Sequence, residues 1–79
     1  DRVQELYTRA RQPLLETIRA MRPDLDPQAH ADLALFISAS MEGLTVFAGY
    51  EKPFEGRMDE LERIAIQSFL GVIQTYRAP

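Results

Sequence analysis

An all-α fold of three helices is what this 79-residue sequence predicts. Three observations predict it. Apolar residues recur at steps of three and four, and no segment alternates as a strand does. Two proline- and glycine-bearing breaks, "RPDLDP" at 22–27 and "GYEKPFEG" at 49–56, divide the chain into three pieces. Each piece is long enough for several helical turns, and no repeat, low-complexity tract or Ser/Gly linker interrupts them.

The first helix is expected from about Arg2 to Met21. Val3, Leu6, Tyr7, Ala10, Leu14, Ile18 and Met21 form one stripe at 100° per residue, and Glu5, Arg9, Arg11, Glu16 and Arg19 lie outside it. Pro13 removes one backbone hydrogen bond, but the stripe stays in phase across it. A kink is expected there rather than two separate helices.

The second helix is expected from Pro27 to about Gly49. Asp26 suits the N-cap and Pro27 the first helical position. Its polar arc is narrow: Ser38, Glu42, Thr45 and Gly49. Leu33, Leu35, Phe36, Ile37, Ala39, Met41, Leu44, Val46, Phe47 and Tyr50 spread around the rest. A helix apolar nearly all round calls for burial nearly all round.

The third helix is expected from about Asp59 to Tyr76, with Asp59 and Glu62 as a capping pair. Leu61, Ile64, Ala65, Ile66, Phe69, Leu70, Val72, Ile73 and Tyr76 cover well over half its circumference, and Glu60, Arg63, Gln67 and Gln74 form the polar strip. Three helices cannot surround two of their own members. The second and third therefore need more protein, from elsewhere in the same chain or from another copy.

Composition narrows the function classes. About 80 residues bury only ~60% of the surface of the unfolded chain, and such domains lean on disulfides, metals or partners. No cysteine is present, which excludes disulfides and thiolate metal sites, and one His excludes a His-rich site. A partner chain remains. The net charge of −3 is uneven: residues 1–22 carry +2, 23–50 carry −4 and 51–79 carry −1. An acidic chain with no basic stripe is a poor nucleic-acid binder by itself. A start at Asp1 rather than Met reads as a piece of a longer protein, no signal peptide is written in it, and the absence of cysteine fits a cytoplasmic protein.

The sharper chemical readings fall to plainer ones. Leu33 to Tyr50 has the minimum length of a membrane span, but Glu42 lies mid-segment and Ser38, Ser40 and Thr45 dilute it, so a buried helix outside the membrane is expected. His30 reads as a partly exposed helix-terminal side chain, with no further ligand fixed by spacing. Ser38, Ser40 and Ser68 have no neighbouring His and no nucleophile turn, so no enzyme and no cofactor are expected. Glu42 reads as facing solvent or a polar helix contact. Ala39, Ser40, Gly43, Ser68 and Gly71 permit close helix crossing, within the chain or between chains.

"RPDLDPQAHADLALFISASMEGL" resembles the eighth helix, and its lead-in, of tetracycline-repressor (TetR) family transcriptional regulators. The matching features are Arg22, Asp24, Asp26 and Pro27, then Ala31, Leu33 and the Gly43-Leu44 pair. The loop "YEKPFEG" with "MDELERIAIQSFLGVIQTY" resembles the last helix of that family, and "RQPLLETIRAM" the helix before the pair; Arg11 to Tyr76 is the better part of the likeness. The resemblance implies a homodimer in which the last two helices of each subunit form an intermolecular four-helix bundle. It also implies an effector pocket built by middle helices and a DNA-binding helix-turn-helix, which these residues do not contain. On this reading the chain is the dimerisation and ligand-sensing part of a one-component repressor. The alternative is an independent helical interaction module with a different protein as partner.

For the dimer interface the expected residues are Phe36, Ala39, Gly43 and Phe47 with Ile64, Ser68, Gly71 and Thr75. A small, mainly apolar effector would lie between the first helix and the inner face of the second, against Tyr7, Leu14, Ile18, Met21, Met41 and Leu44. A filled core at those positions is the plainer expectation.

Overall fold

The computed structural model describes residues 2–78, with side chains for Arg9 and 11–78. It is all-helical, with no strand among the described residues. Helix α1 spans Arg2–Met21, α2 spans Pro27–Ala48 and α3 spans Met58–Thr75, the last preceded by a 3₁₀ turn at Glu55–Arg57.

Helix α1 is unbroken across Pro13, and the Thr17 hydroxyl donates to the Pro13 carbonyl at 3.0 Å. The chain then turns at 22–26. Asp26 is extended (φ −77°, ψ 167°), and its carboxylate accepts from the Ala29 N–H at 2.8 Å. That satisfies one of the free donors of the first turn of α2, with Pro27 where no donor is needed.

At its other end α2 stops at Gly49, whose N–H donates to the Thr45 carbonyl at 3.1 Å. Gly49 is extended, so left-handed freedom is not what selects it. A Cβ there would lie 2.5 Å from the Thr45 oxygen, and only glycine fits. Glu51 follows with φ 61°, the left-handed region. Its N–H donates to the Glu55 carboxylate at 2.5 Å. The Phe54 N–H reaches back to the Phe47 carbonyl at 3.1 Å, tying the connection to the end of α2.

The start of α3 differs from the sequence expectation. Arg57, not Asp59, is the N-cap, and no side chain caps it. The 3₁₀ turn runs directly into α3, so Asp59 falls inside the first turn and makes no capping pair with Glu62. Asp59 and Glu60 instead place negative charge at the positive end of the helix. Arg63 donates through Nε and Nη2 to the Glu60 carboxylate.

The core is small. Ile18 of α1, Leu33, Ala34 and Ile37 of α2 and Ile73 of α3 are buried together. Leu14, Leu15, Met21, Leu25, Phe69, Val72 and Tyr76 pack around them half-buried. The stripe positions Val3, Leu6, Tyr7 and Ala10 lie outside the described side chains.

Arg22 joins all three helices at one corner. Its N–H continues α1 by donating to the Ile18 carbonyl at 2.9 Å. Its Nη1 donates to the carbonyls of Ile73, Gln74 and Tyr76 at 2.8, 3.2 and 3.0 Å. These belong to the end of α3, where free carbonyls and the negative end of the helix dipole favour a cation. Asp24 holds the guanidinium in a two-pronged pair, 2.9 Å from Nε and 2.7 Å from Nη2. The Arg22 carbonyl lies 2.7 Å from His30 Nε2. A carbonyl only accepts, so Nε2 carries the proton. His30 is therefore buried and hydrogen-bonded, not partly exposed as expected; its Arg22 partner is eight residues away, beyond local reading.

Candidate association face

The buried residues of α2 fix which way it faces. Leu33, Ala34, Ile37 and Ala48 point inward. At 100° per residue the opposite side carries Leu35, Ala39, Gly43 and Val46, with Phe36 and Phe47 on its flank toward Leu33. All six are exposed, Leu35, Phe36, Val46 and Phe47 by 55, 52, 60 and 64%. The helix is thus buried along one side only, and its second apolar side is open.

Helix α3 continues this surface. Ile64, Ser68 and Thr75 are exposed and Gly71 is half-buried, all on one side of the helix. Phe36 meets Phe69 edge to face, with ring centroids 6.4 Å apart. Between the two helices lies an apolar cleft of about 290 Å³ lined by Asp32, Leu33, Phe36, Val72 and Tyr76.

All eight expected interface residues thus lie on the outer sides of α2 and α3. Leu35 and Val46 share the open side and were not among them. The missing signal was the direction of the core, which Leu33, Ala34 and Ile37 supply only once α1 and α3 are in place.

Two features make the face suited to close contact. Gly43 and Gly71 sit inside helices, where glycine costs about 1 kcal/mol relative to alanine. A Cβ at either would meet nothing within 4 Å, so packing within the chain does not explain them. The Thr75 hydroxyl donates to the Gly71 carbonyl at 2.8 Å, and the Ser40 hydroxyl to the Phe36 carbonyl at 2.8 Å. Their donors are satisfied within their own helices, which lowers the cost of covering them.

The expected effector residues are distributed differently. Ile18 is fully buried in the core, with Leu14 and Met21 half-buried around it. Leu44 is half-buried and Met41 is 37% exposed. Tyr7 lies outside the described side chains. The α2–α3 cleft shares no residue with this set.

Charge is sparse near the open face. Glu42 is exposed at its margin and Asp32 at the mouth of the cleft. The Arg22 hydrogen bonds hold the Asp24 carboxyl below its ordinary value, and those of Arg63 do the same for Glu60. Among the described residues no group of three His, Cys, Asp or Glu side chains could hold a metal ion. Helix α2 is long and apolar enough to cross a membrane by length and composition alone, with a mean hydropathy of 1.4 over its best window. No protein-family model, no curated protein and no solved structure matches the chain.

Proposed function

We propose that this chain is the homodimerising and ligand-sensing part of a one-component transcriptional regulator of the tetracycline-repressor type. Its partner is a second copy of itself, through the outer sides of α2 and α3. DNA binding belongs to a helix-turn-helix outside these 79 residues, and the protein works in the cytoplasm without catalysing a reaction.

The observation that carries this reading is the open apolar side of α2, continued onto α3, with two helical glycines that nothing within the chain requires. The radius of gyration points the same way. It is 13.9 Å, where a self-contained domain of this length has about 12 Å. A protein partner suits the face better than lipid, because a central acid such as Glu42 costs ~2.5–3.5 kcal/mol in a bilayer. The likeness of Arg22 to Tyr76 to the last helices of the repressor family supplies the regulatory part.

A transplant tests it. The chain replaces the dimerisation domain of a DNA-binding helix-turn-helix that represses a reporter only as a dimer. Repression is expected, and Phe36→Asp, on the open face, should abolish it. A folded fusion that fails to repress, or a Phe36→Asp fusion that represses equally, refutes the homodimer.

A further inference from the structure

We propose that the α2–α3 cleft is completed by the second copy: Phe47 of one subunit fills the cleft of the other, in an antiparallel crossing of the two α2 helices at Ala39 and Gly43. This rests on the homodimer reading and adds a direction, a register and an anchor residue to it.

The crossing point follows from the small residues. Ala39 and Gly43 are exposed one turn apart on the same side of α2, with open space where a Gly43 side chain would stand. Two helix backbones approach most closely where side chains are smallest. A two-fold axis at that level fixes the remaining contacts. Phe47 lies six residues, about 9 Å, beyond residue 41 along the helix. In an antiparallel pair it therefore comes opposite residues 35 and 36 of the partner, at the mouth of the cleft formed by Asp32, Leu33, Phe36, Val72 and Tyr76. Phe36, Gly43 and Phe47 share one side of α2, so the ring is directed at the facing helix. Its own cleft is out of reach, since Phe36 and Phe47 are eleven residues, roughly 16 Å, apart along the helix.

Charge selects the antiparallel direction. Residues 23–50 carry four acids and no Lys or Arg. A parallel pair would stack Asp32 on its copy, whereas the antiparallel pair sets the two Asp32 eighteen residues, roughly 27 Å, apart. Glu42, one residue from the axis and at the margin of the face, is near its copy in either direction. Like charges held opposite each other destabilise a helix pair.

The available area suits a second copy. Leu35, Phe36, Val46, Phe47 and Ile64 are each about half exposed or more. On side chains of this size that amounts to roughly 500 Å². The small residues between them and the cleft walls bring the face toward the ~800 Å² that each partner buries in a stable interface. The cleft of about 290 Å³ has room for a phenyl ring, and its lining is almost wholly apolar.

The experiment uses the absence of cysteine from the sequence. Single variants Asp32→Cys and Val46→Cys, both at exposed positions and both keeping Phe47, are mixed and treated with a short bismaleimide. Efficient 32-to-46 cross-linking between copies is expected, with little 46-to-46 product. In parallel, sedimentation compares the unaltered chain with Phe47→Ala and with Phe54→Ala, an exposed aromatic off α2. Phe47→Ala should weaken the dimer at least tenfold and Phe54→Ala less than threefold. A dimer that cross-links 46 to 46, or that ignores Phe47→Ala, overturns this arrangement while leaving the homodimer standing. A folded monomer of the unaltered chain overturns both.

Discussion

Gly43→Ala should have opposite effects on the single chain and on the dimer. Within one chain the added methyl meets nothing within 4 Å. The substitution then acts only on the helix, where alanine exceeds glycine by about 1 kcal/mol. In the dimer the same methyl enters the crossing point, once from each copy. Overpacking of a close contact costs ~1–3 kcal/mol. The two methyls cost ~2–6 kcal/mol per dimer, against the ~2 kcal/mol that the two helices gain, and at about 1.4 kcal/mol per factor of ten the dimer constant weakens about thirtyfold or more. Thermal melts followed by circular dichroism separate the two effects. Below the dissociation constant the variant should melt above the unaltered chain, and well above it the order should reverse. A variant that melts higher at every concentration, with dimer affinity unchanged or improved, would refute the close crossing at Gly43.

Other substitutions probe the frame that holds the face. Ile18 is fully buried where the three helices meet, so Ile18→Ala should cost ~2–5 kcal/mol in a denaturant melt, and a loss below 1 kcal/mol would show that the core lies elsewhere. Gly49→Ala should destabilise, because its Cβ would lie 2.5 Å from the Thr45 oxygen. Glu51→Gly should stabilise by ~0.5–1 kcal/mol by relieving a left-handed residue (φ 61°); the reverse pair of melting shifts contradicts this loop geometry. Asp24 has a folded pKa below its ordinary 3.8, so its contribution is present above that value and is lost as pH falls through the lowered one. Asp24→Asn should therefore flatten the acid side of the stability profile, and an unaltered acid limb would remove the Arg22–Asp24 pair from the account.

Much of the frame is legible in the sequence because its signals are local. Asp26 and Pro27 mark the start of α2, and the stripe through Leu14, Ile18 and Met21 marks the inner side of α1. The misses share a cause. Asp59 carries capping chemistry, but a 3₁₀ turn entering α3 from Phe54 onward takes over that role, and the Phe54 N–H is bonded to the Phe47 carbonyl across the loop. His30 is a terminal histidine by position and a buried one by its bond to the Arg22 carbonyl. The span of Arg22 to carbonyls 51 to 54 residues away has no local trace at all. At the association face the apolar residues of α2 and α3 are plain in the sequence. Which of them turn outward is not, because that depends on how α1 and α3 close on Leu33, Ala34 and Ile37. The cleft beside Phe36 likewise exists only between elements far apart in the chain.

Sedimentation equilibrium of the unaltered chain across micromolar concentrations tests the central claim most directly. The account predicts a mass of twice the chain's 9.0 kDa, falling toward that of one chain on dilution or with Phe36→Asp. A single species of 9.0 kDa that stays helical and melts cooperatively would contradict it.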